Sequence, residues 1–175
     1  MPEEAQAVRQ HLYLYKALPE EHPGLSNAEA QMCLILHNML NSEIIDAGMQ
    51  IDTLNFSPEA DQLPIVHHAW LWLARMSIYI ERANLTMGIT AAENALKIIV
   101  ECERKKSEDF LAIVAGVLYN LAVIHNSSLE NSRATKELTK AQQLLERLVK
   151  KNPKRFQSML LRAIEASTVI IKSKV

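Results

Sequence analysis

Apolar residues recur every three or four positions along most of this chain, the spacing of an amphipathic α-helix and not the alternation of a strand. The stretch LYNLAVIH at 118–125 is denser in apolar residues and predicts a helix that is buried on two sides. Only 4 glycines and 6 prolines are available for turns, so a sheet-rich fold is not favoured. The pattern predicts an all-α protein with a single domain over residues 1–175.

Caps and helix breakers divide this pattern into about seven helices. Ser26, with Glu29 three residues later, forms a capping box for the second helix. Ser107 is expected to cap the fifth helix, and Thr86 or Gly88 is expected to interrupt the chain before the fourth. The predicted helices cover Pro2–Leu18, Ser26–Ala47 (ending before Gly48), 64–84, 89–106, 108–126, 131–152 and 154–175. The longest loop, or a loop with one helical turn, covers 49–62.

A pair of helices recurs along the chain, which is the mark of a repeat architecture. The segment AWLWLARMS (69–77) aligns with VLYNLAVIH (117–125) at an offset of 48 residues. The helices that follow these segments align at an offset of 49, which sets Ala92 on Ala141. Both helices of the pair therefore recur together.

These helices resemble tetratricopeptide repeats. That family pattern has a large residue, Leu-Gly or Leu-Ala and an aromatic residue in the first helix, then alanine, large residues and a closing proline in the second. The resemblance covers residues 65–155 and implies a right-handed superhelical stack of antiparallel helix pairs, with 154–175 as a C-terminal capping helix. An irregular helical bundle is the alternative architecture. The period of 48 to 49 departs from the family's length of about 34, and Arg104 stands where the upstream proline would fall. The matching residues are Leu118, Leu121, Ala122, His125, Ala141, Leu145, Leu148 and Pro153.

The resemblance also implies a binding site. In this family the first helices line a concave groove that holds a peptide or a partner helix, so we expect a protein–protein interaction scaffold or adaptor. An alternative is that Trp72 and Tyr79 pack beneath the long loop and do not face a groove. The implied groove residues are Trp72, Arg75 and Tyr79 in one repeat and Tyr119, Asn120 and Asn126 in the next.

Charge is unevenly distributed along the chain and leaves two other functions open. The net charge is −8 over residues 1–64, 0 over 65–135 and +7 over 136–175. Opposite ends of one molecule attract those of another, so a self-assembling structural protein or homo-oligomer is one alternative. A nucleic-acid-associated adaptor that uses the basic C-terminal end is the other, but no interleaved aromatic residues favour nucleic acid as a partner.

The residues that commonly carry catalysis do not form a recognisable constellation. His67 and His68 are neighbours in a helix and point about 100° apart, which is poor geometry for one metal ion. His125 is explained by packing or by a side-chain hydrogen bond, and Cys33 and Cys102 by burial as small apolar residues. We therefore expect no enzymatic activity, no catalytic residue, no metal and no cofactor.

Membrane and export signals are also not apparent. No run reaches the eighteen or so consecutive apolar residues that cross a bilayer, and the start MPEEAQAVRQ is acidic where a secretory leader would be basic. We expect a cytoplasmic protein with no membrane partner.

Overall fold

The computed structural model describes residues 35, 44–55, 61, 63, 65–102 and 107–172. Within these residues the regular structure is helical and contains no strand, which confirms the all-α class for this part of the chain. The predicted helix Pro2–Leu18 lies outside the described residues, as does most of Ser26–Ala47. The helices are Ile44–Asn55 (α1), Ile65–Glu81 (α2), Leu85–Glu101 (α3), Glu108–Ser127 (α4), Asn131–Lys151 (α5) and Pro153–Lys172 (α6).

Two helical hairpins form the centre of the fold. Helices α2 and α3 pack along each other, as do α4 and α5, and each pair is joined by a three-residue turn. Helix α4 contacts both helices of the first hairpin, and α6 contacts both helices of the second. Helix α1 packs on α2. The hairpins therefore lie side by side, and α6 packs mainly on α5.

The two hairpin turns have the same conformation. Each contains a residue in the left-handed region, Ala83 with φ 55° and, 46 positions later, Leu129 with φ 62°. In each turn the amides bond back to the preceding helix in the pattern of a Schellman C-cap. The bonds, all between 2.8 and 3.1 Å, run from the N–H of Arg82, Ala83 and Asn84 to the carbonyls of Ile78, Ile80 and Tyr79, and from the N–H of Ser128, Leu129 and Glu130 to those of Ile124, Asn126 and His125.

The second helices of the hairpins are buried with the same register of 46 residues. This register replaces the sequence offsets of 48 and 49, because it sets Ala95 and not Ala92 on Ala141. Small residues cluster at 91, 92 and 95, so the sequence alone permits more than one alignment. The corresponding buried residues are Gly88, Ala92, Ala95, Ile99 and Cys102 in and after α3, and Ala134, Leu138, Ala141, Leu145 and Leu148 in α5.

The same register extends through all three first helices. Ile78, Ile124 and Ile170 succeed one another at intervals of 46 residues in α2, α4 and α6, and all three are buried. Seven residues earlier, which is about two helical turns, the equivalent positions are again buried in each helix. These are Leu71, Val117 and Ala163. These two positions of α6 therefore have the burial of their equivalents in α2 and α4, although α6 packs mainly on α5 and α4 packs on both helices of the first hairpin.

Several predicted helix boundaries are confirmed. The hydroxyl of Ser107 accepts a hydrogen bond from the N–H of Phe110 at 3.3 Å, so Ser107 caps α4 as expected. Helices α2, α5 and α6 begin and end within about three residues of their predicted limits where both ends are described. Pro153 begins α6, where its fixed φ suits the first helical turn.

Gly48 does not end a helix, and the predicted loop over 49–62 is wrong for its first half. Helix α1 runs through Gly48 to Asn55, with Ile51 and Leu54 buried. A methyl group added at Gly48 would lie 3.2 Å from Nη2 of Arg82, so this glycine allows close contact with the first turn.

The start of α3 was also predicted wrongly. The helix begins at Leu85, where Asn84 accepts a hydrogen bond from the N–H of Met87 at 3.3 Å. Thr86 and Gly88 lie inside the helix. A methyl group added at Gly88 would lie 3.1 Å from Cδ1 of Ile124, so this glycine permits the close contact between α3 and α4.

Helix α4 is the central element of the described structure. It is long and apolar enough to cross a membrane by length and composition, although the sequence contains no unbroken apolar run of that length. It contacts α2, α3, α5 and α6, and none of its residues from 108 to 126 is exposed. Burial by other helices is sufficient to explain its apolar composition, because the core helix of a globular protein meets the same criteria.

We expect Leu129→Gly to raise the free energy of unfolding by roughly 0.5 to 1 kcal/mol. A left-handed conformation strains any residue with a Cβ atom, and the Leu129 side chain is 85% exposed, so little packing would be lost. Ser128→Gly is the matched control, because Ser128 has φ −90° and should lose stability on the same change. Thermal or urea unfolding measures both, and equal responses at the two positions would contradict the assigned strain.

Candidate functional site

Helix α4 presents three distinct sides to its surroundings. Successive residues rotate by about 100° around a helix, so positions three, four and seven apart share a side. Gly116 and Asn120 contact α2, while His125 contacts α5. Between these two sides lie half-buried residues whose side chains form no hydrogen bond with α2 or α5 in the described structure. They are Tyr119, Val123 and Asn126.

The contact between α2 and α4 is close and contains a hydrogen bond. A methyl group added at Gly116 would lie 2.7 Å from Cδ2 of Leu73, so only glycine fits without a shift of Leu73. One turn further along, Nδ2 of Asn120 donates to Oγ of Ser77 at 3.0 Å. Ser77 in turn donates to the carbonyl of Leu73 at 3.3 Å. The polar residue Asn120 in the apolar stretch 118–125 thus joins two helices.

The contact between α4 and α5 contains a nearly buried acid and imidazole. Nδ1 of His125 lies 2.6 Å from Oε2 of Glu137, and the two side chains are 5% and 14% exposed. Nε of Arg133 lies 3.7 Å from the other oxygen of Glu137 and is largely in solvent. The expectation that a side-chain hydrogen bond explains His125 is therefore confirmed.

A surface that we term the open face lies along the three first helices. Apart from Arg162, which is the equivalent of Gly116, its residues occupy equivalent positions in the 46-residue register, on the side of each helix that adjoins the contact between α2 and α4. The side chains are half-buried in α2 and α4 and exposed in α6. The open face consists of Ser77 and Ile80 in α2, Tyr119, Val123 and Asn126 in α4, and Arg162, Glu165 and Val169 in α6.

The structure places the first predicted triplet away from this face. Trp72, Arg75 and Tyr79 share one side of α2, as their spacing predicts, and Cζ of Arg75 lies 4.4 Å from the Trp72 ring centroid. The register relates Tyr79 to His125, which contacts α5. Cβ of Tyr79 correspondingly lies 3.9 Å from the position of a methyl group added at Gly88 of α3. These three residues therefore lie toward the second helix of their own hairpin.

The second predicted triplet is divided between two sides of α4. Tyr119 and Asn126 lie together on the open face, seven residues apart, while Asn120 lies in the contact with α2. The rings of Tyr119, Trp72 and Tyr79 all pack in part against the core. Whether the six residues bind a partner stays a prediction, but the register does not bring the two triplets to equivalent positions.

Two residues of these contacts were not identified from sequence. Ser77 aligns with His125 at the sequence offset of 48, and no motif marks its bond with Asn120, 43 residues away. Glu137 lies among the charged residues of a largely solvated helix. It meets His125, 12 residues away in sequence, because the hairpin turn brings α5 back against α4. A register of 46 residues would have aligned Tyr79 with His125 and shown that these two positions are equivalent.

Positive charge extends over α5 and the start of α6. Arg155 is removed from this group because Nη2 donates to Oδ1 of Asp109, which ties α6 to the start of α4. Within the described ranges, no three His, Cys, Asp or Glu residues are grouped as metal ligands. The exposed basic residues of this region are Arg133, Lys136, Lys140, Arg147, Lys150, Lys151 and Lys154, and Arg162 follows in the middle of α6.

We expect Asn120→Ala and Ser77→Ala to lower stability non-additively. The hydrogen bond joins two half-buried side chains, so a double-mutant cycle should give a coupling free energy of about 1 kcal/mol. Urea unfolding of the two single variants and the double variant measures it. Additive effects within about 0.3 kcal/mol would show that the bond does not stabilise the contact between α2 and α4.

Glu137→Ala should cost about 1 to 3 kcal/mol of unfolding free energy, because it leaves the buried imidazole of His125 without its acceptor. Arg133→Ala is the matched control, since it removes the exposed partner of the same carboxylate and should change stability by less than about 1 kcal/mol. Equal losses in the two variants would contradict a special role for the buried bond.

No protein-family model, curated protein or solved structure matches this chain. A functional interpretation therefore depends on the residues and contacts described above.

Proposed function

We propose that this chain is a protein–protein interaction scaffold, and that a peptide or partner helix binds along its open face. The observation that carries this proposal is the 46-residue register, which sets three first helices side by side and aligns one side of each into a continuous strip. The contact between α2 and α4 supports the continuity of that strip, and a smaller contact joins α4 to α6.

The chemistry of the open face suits a peptide ligand. Ser77 and Asn126 provide hydrogen-bonding groups, Tyr119 combines a large ring with a hydroxyl, and Val123 supplies apolar area. Arg162 and Glu165 add charge of both signs at the α6 end. Aromatic residues at such surfaces are frequent energetic hot spots because they bury much area at a small entropic cost.

We further propose that the stack is a tetratricopeptide-like right-handed superhelix. With the register of 46, the first hairpin supplies Trp72 and Tyr79 at the large and aromatic positions of the family pattern, where the second supplies Leu118 and His125. Small or apolar residues follow at the alanine-x3-large positions of both second helices. These are Gly88 and Ala92 in α3, and Ala134 and Leu138 in α5.

The longer period has a simple origin under this proposal. Helices α2 to α5 contain 17 to 21 residues each, which is longer than the helices of a 34-residue unit permit. The turn within each hairpin remains short. The first hairpin is then packed by Trp72, Arg75 and Tyr79. The partner contacts Tyr119, Asn126 and their equivalents instead. No catalytic role is proposed.

The exposed basic residues of α5 support nucleic acid as a second candidate partner. Such binding would weaken steeply as salt rises, because each phosphate contact releases condensed counterions. Binding along the open face would depend much less on salt, since its centre carries no charged residue in α2 or α4. A salt titration of any recovered complex separates the two candidates.

We expect the open-face variant Tyr119→Ala/Glu165→Lys to lose its partners. Affinity capture from a lysate with the full chain, followed by quantitative mass spectrometry, should show proteins whose recovery falls about tenfold or more, as removal of roughly 1.4 kcal/mol of binding free energy requires. Glu93→Lys, at an exposed position on α3, is the matched control and should retain them. Melting curves establish that both variants fold, and unchanged recovery with the folded open-face variant would contradict the proposed surface.

A further inference from the structure

The outward side of α5 carries a row of positive charge. Five exposed residues each lie three, four or seven positions from another member of the row, so they fall within about 100° of one another around the helix. The row extends about 22 Å along α5, on the side away from the buried Ala141. We term it the α5 row. It consists of Lys136, Lys140, Arg147, Lys150 and Lys151.

The charges of the α5 row are not balanced within the described structure. None of the five side chains forms an ion pair with another described residue. Glu146 is the one exposed acid of α5, because Glu137 is nearly buried against His125. Lys136 lies four positions from Lys140, a spacing at which like charges destabilise a helix. An ordinary solvated helix face would interleave acids with these bases.

Neither the helix dipole nor the fold accounts for the row. The dipole favours cations in the last turn, where Lys150 and Lys151 lie, but Lys136 and Lys140 are in the first half of α5. In the register of 46 residues, the same side of α3 has no such row at the positions it shares with α5. The α3 equivalents of Lys136, Lys140 and Arg147 are Thr90, Asn94 and Glu101.

We propose that the α5 row binds the phosphate backbone of duplex nucleic acid without reading its sequence. This inference rests on the second candidate function, for which it names the surface and the ligand, and it does not depend on the open face. A titration with a duplex contains no protein partner. It therefore succeeds or fails separately from the capture of proteins along the open face.

The chemistry of the row fits phosphates better than bases. Four of its five residues are lysines, which pair with phosphate oxygens as point charges. Helix α5 contains no aromatic residue on which the bases of a single strand would stack. A duplex carries one negative charge per about 1.7 Å of its axis, so it offers enough phosphates to engage every cation of the row. The whole chain has a net charge of −1, so the attraction has to be local to the row.

Five phosphate contacts predict a steep dependence on salt. The logarithm of the association constant for duplex DNA should fall with the logarithm of salt concentration at a slope of about −4 to −5, because each neutralised phosphate contributes about −0.9. Fluorescence anisotropy of a labelled duplex of about 20 base pairs, titrated with the full chain between about 50 and 200 mM salt, measures the slope. A duplex RNA of the same sequence is the second arm, and the tighter ligand identifies the kind of duplex. Failure of both to bind at about 50 mM salt, or a slope shallower than about −2, would overturn the proposal.

Substitutions at the start of the row test its location. Lys136→Gln/Lys140→Gln should reduce the magnitude of the slope by about 2 and weaken duplex binding about fivefold or more at 50 mM salt, because each lysine supplies one phosphate contact. It should melt no lower than the natural chain, since it removes a like-charge pair. Lys97→Glu is the matched control, because it changes the net charge by the same two units at an exposed position on α3. Equal weakening by the two variants would assign binding to overall charge and overturn the row.

Other ligands give different results in the same titration. A second duplex of scrambled sequence should bind within about twofold of the first, and a preference of about tenfold or more would indicate contacts to bases and overturn the backbone mode. Poly-L-glutamate tests for an acidic protein as the partner, and vesicles of phosphatidylserine and phosphatidylcholine test for a membrane. Binding of either probe that matches or exceeds that of the duplex at the same salt concentration would overturn the proposal.

Discussion

The small residues of the second helices fix the spacing on which the described structure depends. Gly88 of α3 lies between two first helices, because a methyl group there would be 3.8 Å from Cγ1 of Ile80 and 3.1 Å from Cδ1 of Ile124. Helix α3 thus packs both on α2, its partner in the hairpin, and on α4 of the next hairpin. Ala134 has the equivalent position in α5 and is fully buried. Larger side chains at these positions would separate the hairpins and with them the strip of first helices.

Small apolar residues set distances but specify rotation poorly, since an alanine surface accepts several rotations of a neighbouring helix. The hydrogen bonds at α4 supply that specificity. Asn120 with Ser77 fixes α4 against α2, and His125 with Glu137 fixes it against α5. Because these donors and acceptors are half-buried or buried, rotation would leave them without partners at a cost of about 1 to 3 kcal/mol each. Tyr119 is thereby held between the two contacts, on the open face.

Helix caps were predictable from sequence because a cap is a local feature, and Ser107 with α4 shows this most clearly. Gly48 and Gly88 were misinterpreted because the sequence does not distinguish a glycine that ends a helix from a glycine that permits close contact between helices. The left-handed residues Ala83 and Leu129 carry no local signal, so the shared turn was missed, and with it the register. The error of two residues in the register of the first helices, 48 in place of 46, rotates the alignment by about 200°, so the sequence alignment sets Trp72 on Asn120 and not on Leu118. Predictions of a site are more sensitive to register than predictions of the fold. A rotated helix is still a helix, but its residues face other neighbours.

Comparison along the register shows that exposure alone does not set the polarity of the first helices. The equivalent residues Leu73, Tyr119 and Glu165 change from apolar to amphipathic to charged as burial decreases from α2 to α6. The equivalent residues Ser77, Val123 and Val169 change in the opposite direction, and Val169 is 62% exposed. The polar residue of this second set, Ser77, accepts the hydrogen bond of Asn120 in the contact between α2 and α4. A specific hydrogen bond between two helices therefore accounts for the polar residue at that position, and the degree of exposure does not.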